Sequence, residues 1–397
     1  MNSIKSFSKI FCIAVLIGIL AGVVCYLFSR GLDFVTTLRR SYGIYPYFIL
    51  PFIGAFVAYL YSLFGKAVEE GNNLVLDEIH TPKAKIPFRM VPMIFFSALS
   101  SHLFGASVGR EGVGVQIGAG IADSFSHFKI DRKLILMMGI SAGFAGIFNA
   151  PFAGTIFGAE VILVGSISYF ALLPCFISGI AAFLVNIYFE GVTPRYAFVE
   201  LPGHFDFKIF LSVILLGIIF GITARFFSFS LHFTKNIFHK LISQKMLRPF
   251  VGGLLLLGLF LLVGNDRYHG LGKEVLEGAF TEKLLPYDFL GKILSTSLSI
   301  GSGFKGGEVM SLFYVGATLG NVLSPIFSLA PSFLAALGFV SVFSGAANTP
   351  ITALILAVEY FGIEIGLYAG IAVVISFLFS GNKGIFENQR KKFIKKF

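Results

Sequence analysis

The chain is 397 residues long, 56% hydrophobic and 13% charged, with a mean hydropathy of +0.84. No single soluble core of that length hides so much apolar side chain, so a water-soluble globular domain is excluded and a polytopic membrane protein is indicated. The net charge of +10 is spread over loops and termini, with Arg390, Lys391, Lys392, Lys395 and Lys396 in a short basic tail, which reads as a cytoplasmic membrane flank and not as a nucleic-acid surface.

Lys5 and Lys9 lead into the first apolar run, 8–29. No small-residue cleavage signature follows it, so it reads as a retained helix, and both termini are assigned to the cytoplasm. Further runs at 43–64, 86–104, 168–188, 207–226, 248–263 and 363–380 each approach the ~20 residues of a spanning helix, making seven clear spans a minimum. Between them, shorter glycine-broken pieces at 113–122, 134–148, 152–165, 287–300, 308–323, 333–345 and 350–361 read as broken or partly spanning helices. Cys12, Cys25 and Cys175 lie in apolar segments without metal-ligand spacing, so they are assigned to packing, and neither a metal nor a cofactor is expected.

One glutamate stands inside this apolar sequence, Glu111 in Gly109-Arg110-Glu111-Gly112-Val113-Gly114-Val115-Gln116-Ile117-Gly118. A carboxyl at membrane depth costs roughly 2.5 to 3.5 kcal/mol on insertion scales, so it faces a polar cavity, carries a proton or helps to move an ion. Offsetting the sequence by 199 residues brings Gly18 onto Gly217, Gly22 onto Gly221, Gly71 onto Gly270, Asn149 onto Asn348, Pro151 onto Pro350 and Glu160 onto Glu359. Two diverged membrane repeats, 1–200 and 201–397, follow from this register. With a one-residue gap Gly109 meets Gly307 and Glu111 meets Val309, so the acid belongs to one copy alone.

Duplicated halves pack about a pseudo-two-fold axis, and helices that break near the midplane leave half-helix ends pointing at a shared site. The candidate breaks are 71–74, 109–113, 303–311 and the Asn-Xaa-Pro turns at 149–151 and 348–350. A helix N-terminus offers unpaired N–H groups and about half a positive charge, so several converging N-termini make an anion site. Single glycines such as Gly18 and Gly22, in GxxxG spacing, are instead read as packing positions.

The Gly-Arg-Glu-Gly segment at 109–112, the Phe148-Asn149-Ala150-Pro151 turn and Gly306-Gly307-Glu308-Val309 occur in the order seen in the CLC family of anion channels and proton-coupled anion antiporters. The chain resembles that family over nearly its whole length. The resemblance implies an all-α CLC-type fold of two inverted-topology repeats and a homodimer with one pathway per subunit. It also implies Glu111 as a gating acid that carries protons; the plasma membrane is the expected location, and no cytoplasmic regulatory domain is expected after the last helix. Where chloride-type members place a serine, this chain has Gly71-Asn72-Asn73-Leu74, and with Gly303-Phe304-Lys305-Gly306-Gly307-Glu308-Val309 it is most similar to the family's fluoride-exporting clade. A second, inner glutamate typical of the chloride/proton antiporters would fall at Val161, which fits that clade. The resemblance departs at Met310-Ser311 in place of Thr-Pro, at Phe386 in place of a pore tyrosine, and at Gly112-Val113 in place of Gly-Pro.

By this reading fluoride enters between backbone amides near Val113 and Val309 and the Asn72 side chain, with Gly109, Arg110, Gly112, Gly307 and Met310 completing the anion site and Phe386 lining the pathway. Arg110 and Glu308 occupy equivalent positions with opposite charge and are candidates to pair, while Lys305 raises the local anion concentration. Glu160 and Glu359 are read first as structural acids at helix ends, with a proton relay through Glu160 as the alternative. Chloride as the substrate, in an antiporter or a passive voltage-gated channel of the same family, is the rival transport reading. An enzyme is not expected: Gly139-Ile140-Ser141-Ala142-Gly143 has the GxSxG pattern but lacks its strand-to-helix context, and the histidines, of which His102 falls nearest Glu111, form no HExxH pair.

Overall fold

Glycine and proline cut the apolar sequence into helices of unequal length, and the cuts place helix ends inside the molecule. The structure, a computed structural model, describes residues 2–191, 196–203 and 206–395. Lys396 and the side chain of Lys5 lie outside the described residues. The first half runs α1 (Asn2–Ser41), α2 (Tyr45–Phe64), α3 (Asn72–His80), α4 (Met90–Leu103), α5 (Glu111–Asp123), α6 (Arg132–Phe148), α7 (Pro151–Glu160) and α8 (Leu172–Glu190). The second runs α9 (Phe207–Leu241), α10 (Leu247–Val263), α11 (Lys273–Gly278), α12 (Asp288–Ser302), α13 (Val309–Phe327), α14 (Pro331–Ala347), α15 (Pro350–Phe361) and α16 (Gly366–Phe379). The all-α expectation holds, relieved by one parallel pairing of β1 (Leu163–Val164) with β2 (Arg390–Lys391).

Long helices enclose short ones. The 40 residues of α1 extend about 60 Å, twice the hydrocarbon thickness, and α9 has 35. Among the described residues, five helices are long and apolar enough to cross a membrane, at Phe7–Ser41, Tyr45–Phe64, Tyr169–Glu190, Phe207–Leu241 and Val309–Phe327. The count of seven clear spans is thereby corrected. The runs at 86–104, 248–263 and 363–380 hold shorter apolar helices, Met90–Leu103, Leu247–Val263 and Ile363–Phe379, while the piece at 308–323 belongs to a helix of full length. Pro87 keeps the start of the third run out of α4.

Packing between helices relies on small residues, because lipid supplies no hydrophobic drive for helices to associate. A methyl on Gly18 would strike Ser178 and Ala181 of α8, and one on Gly217 would meet Ile375 of α16 at 2.9 Å. Added carbons at Gly118 and Gly316 would run into the Gly139 and Gly338 carbonyls, where α5 crosses α6 and α13 crosses α14. Cys25 and Cys175 are buried as expected, but Cys12 lies on an exposed face of α1.

Five helix starts fall at the expected breaks. Gly71 (φ 59°) precedes α3, Arg110 precedes α5, Glu308 precedes α13, and Pro151 and Pro350 open α7 and α15. Asn149 (φ 56°) and Asn348 (φ 57°) take the left-handed conformation that ends α6 and α14 just before those prolines.

Candidate anion site at converging helix starts

The starts of α5 and α13 meet through a two-bond antiparallel bridge. Gly109 N donates to Gly307 O at 2.5 Å and Gly307 N to Gly109 O at 2.8 Å. These are the two residues that the repeat register superposes. Glycine is required on both sides: a Cβ on Gly109 would lie 2.6 Å from Glu111 Oε2, and one on Gly307 would lie 2.5 Å from Gly112 N.

Glu111, 1% exposed, is the first residue of α5, yet its carboxylate reaches the start of the other half. Oε2 accepts from Met310 N and from Arg110 N, each at 3.0 Å. The amide of Met310, one residue on from the expected Val309, therefore holds the carboxylate at the positive end of α13. Oε1 is buried without a hydrogen-bond partner among the described residues, with Arg110 Nε 3.9 Å away. The carboxylate occupies the kind of position an anion would take at a helix N-terminus.

Asn72, the first residue of α3, closes the site from the side. A Cβ on Gly112 would meet Asn72 Nδ2 at 2.7 Å and Gly307 Cα at 3.0 Å, while Asn72 Oδ1 is buried and unpartnered among the described residues. Val113, Val309 and Met310 bury their side chains in the main core, so what Met310 gives the site is its N–H. With valine at 113, α5 starts at Glu111, two residues before it.

Below this cluster opens a cavity of about 480 Å³ whose wall includes Glu69, Asn72, Gln116, Lys235, Arg248, Lys305, Glu308, Phe386 and Glu387. The expected Lys305 and Phe386 are both there. Lys305 Nζ donates to the Glu69 carbonyl at 3.2 Å and lies 4.3 Å from the Tyr61 ring centre. Glu308 keeps Oε2 buried without a partner among the described residues. No Arg110–Glu308 ion pair forms among the described residues, a correction to the expectation from the repeat. The glycine bridge is antiparallel, so the chains that follow Gly109 and Gly307 run apart. Gln116, missed in the sequence, donates from Nε2 to Gly112 O at 3.1 Å and packs under Gly71. Its signal was a lone amide one turn after Gly112 in an otherwise apolar helix.

Glu160 and Glu359 lie away from this cluster and cap one another's helices. Glu160, at the end of α7, accepts from Ile351 N (3.0 Å), Thr352 N (2.8 Å) and Thr352 Oγ1 (2.6 Å) at the start of α15. Glu359 of α15 accepts from Phe152 N (2.9 Å) and Ala153 N (2.8 Å) at the start of α7. Ser141 sits in mid-helix and donates to the Cys175 carbonyl at 2.8 Å, which gives the GxSxG match no nucleophile elbow. His102 is buried at the end of α4, where its carbonyl accepts from Arg39 Nη1 at 2.9 Å.

Comparison with known proteins agrees with this geometry. The family described as "Voltage gated chloride channel" matches residues 53–381. A "Chloride/fluoride channel protein" of Pseudomonas syringae pv. tomato is 44% identical over 393 residues, 96% of this chain and 86% of that protein. An "H(+)/Cl(-) exchange transporter ClcA" of Vibrio vulnificus is 26% identical, covering 96% of this chain and 89% of the transporter. Among solved structures, a "CLC-type fluoride/proton antiporter" superposes with a TM-score of 0.93 at 33% identity, covering 97% of this chain and 98% of the other.

Proposed function

We propose that this chain, which belongs to the voltage gated chloride channel family of anion transporters, exports fluoride in exchange for protons through the site at the starts of α3, α5 and α13. The observation that carries the reading is the Glu111 carboxylate seated on the Met310 and Arg110 amides. An anion and that carboxylate compete for one position. Protonation on the free Oε1 removes the negative charge and turns the group into a donor, so it leaves the amides and the anion takes them. Each cycle then moves a proton one way and an anion the other.

Fluoride is favoured over chloride by the donors around the site. Glycine at 112 lets the Asn72 amide and the Gly307 backbone come close, and Asn72 stands where the chloride-type members place a serine. A small, strongly hydrated anion needs such donors to replace water. The similarity to the fluoride/proton antiporter and to the chloride/fluoride channel protein supports the same reading.

The protein is a non-enzymatic carrier in this account. Its two repeats divide at 200/201, and it works in the plasma membrane as a homodimer with both termini cytoplasmic. The placement of charge supports that orientation: Lys235, Lys245 and Arg248 share one cavity wall, where Lys235 and His232 contact Glu387 at 2.7 and 3.1 Å.

Glu111→Gln in liposomes tests the role of the acid. An amide carries no exchangeable charge, so fluoride should still pass while proton movement driven by a fluoride gradient falls to background. Persistent fluoride-driven proton pumping in this variant contradicts the assignment.

A further inference from the structure

The basic tail contains one lysine that does not face water. Lys395 is 3% exposed. Its Nζ donates to Asn348 Oδ1 at 2.6 Å and Ser380 Oγ at 2.8 Å, and lies 4.0 Å from the Phe377 ring centre. Asn348 caps the C-terminus of α14 and Ser380 that of α16, so the ammonium sits where the negative ends of two helices converge. Burial, with the neighbouring Lys391 charge, pushes this lysine down to about 7. No carboxylate pairs with it among the described residues, and those oxygens, the ring and the helix ends offset part of the cost of burial.

Capping the turn does not itself require a cation. The equivalent Asn149 in the first half has its Oδ1 satisfied by the neutral Asn186 Nδ2 at 2.6 Å. What Lys395 does in addition is close a loop. Asn382 Oδ1 accepts from Lys395 N at 2.8 Å and Asn382 Nδ2 donates to Lys395 O at 2.9 Å, which joins the two ends of the segment 382–395. Between them Ile385 N donates to Ala346 O at 2.9 Å, and Gln389 Nε2 to Val161 O at 2.8 Å, while Gln389 Oε1 accepts from Asn348 Nδ2 at 3.0 Å. The same loop carries Phe386, 8% exposed, in the wall of the cavity, with its ring 6.5 Å from that of Phe157.

We propose that Lys395 is a positioning residue of the anion pathway: its ammonium pegs the 382–395 loop between the ends of α14 and α16 and so fixes the Phe386 ring in the cavity wall. The role of Phe386 in transport rests on the proposed function above. The position of its ring does not, and the two are measured separately.

The chain contains no tryptophan, so Phe386→Trp installs a single fluorescent reporter. In liposomes, adding Lys395→Met should shift the emission to the red and raise acrylamide quenching about twofold or more, and Lys395→Arg, which keeps a charged donor, should restore most of the parental signal. In flux assays, Lys395→Met should slow fluoride efflux about fivefold in the parental chain and have no further effect in a Phe386→Ala background, the non-additivity of residues that act through one another. Unchanged emission and quenching in a folded Lys395→Met protein overturns the proposal, as do flux losses that multiply in the double variant. Absence of fluoride flux in the parental protein would overturn the transport reading and leave the fluorescence result standing.

Discussion

Glu111 is hydrogen-bonded through one oxygen and keeps the other without a hydrogen bond among the described residues, 3.9 Å from Arg110 Nε, and the proposed gating role uses that inequality. Asp123, by contrast, uses both oxygens: it takes Arg132 Nε on Oδ1 and both Arg132 Nη2 and Ile86 N on Oδ2. Around Glu111 the fit depends on missing side chains. A methyl at position 307 would stand 2.5 Å from Gly112 N and 3.3 Å from Glu111 N. Gly307→Ala therefore forces the starts of α5 and α13 apart. We expect it to destabilise the protein by about 1–3 kcal/mol, as overpacking of a tight contact does, and to slow fluoride flux disproportionately. Thermal unfolding in detergent and flux per folded protein measure the two effects. Flux retained in a folded Gly307→Ala protein contradicts the placement of the site.

The five helix starts were legible in the sequence because glycine, asparagine and proline announce them through backbone preference alone. What each start binds was not legible. Glu160 and Glu359 read correctly as acids at helix ends, but their partners lie in the opposite half, at Thr352 and Ala153, and no local pattern links residues about two hundred positions apart. Each carboxylate satisfies orphan N–H groups and complements the positive end of the helix it caps. Removing the charge with Glu160→Gln or Glu359→Gln should cost about 1–2 kcal/mol per site, seen as a lower unfolding temperature, with the proton-to-fluoride ratio unchanged. A ratio altered by Glu160→Gln in a protein of undiminished stability favours the relay role instead. Lys395 shows the same limit from the other side. Composition placed it in a solvated tail, and only the convergence of α14 and α16 buries it.

At the scale of the molecule, the two halves keep equivalent bonds after their side chains have diverged. Ile86 N donates to Asp123 Oδ2 at 2.6 Å, and 198 residues later Leu284 N donates to Asn321 Oδ1 at 3.2 Å. The first acid also pairs with Arg132, whereas the second residue, an amide, donates to the Ala279 and Glu282 carbonyls, each at 2.8 Å. At the proposed site the two halves differ, since Glu111 aligns with Val309 in the repeat register and its carboxylate bonds to Met310 N of the other half. The sequence exposed this asymmetry, but not that the carboxylate would rest on the amide of Met310. In the proposed mechanism the two ions are coupled because one carboxylate both blocks the anion position and takes the proton. The most direct test is purified protein in liposomes loaded with fluoride or chloride, with anion efflux and internal pH followed together under a clamped membrane potential. Fluoride efflux with opposed proton uptake, and little chloride movement, is the predicted result; chloride flux without proton movement contradicts it.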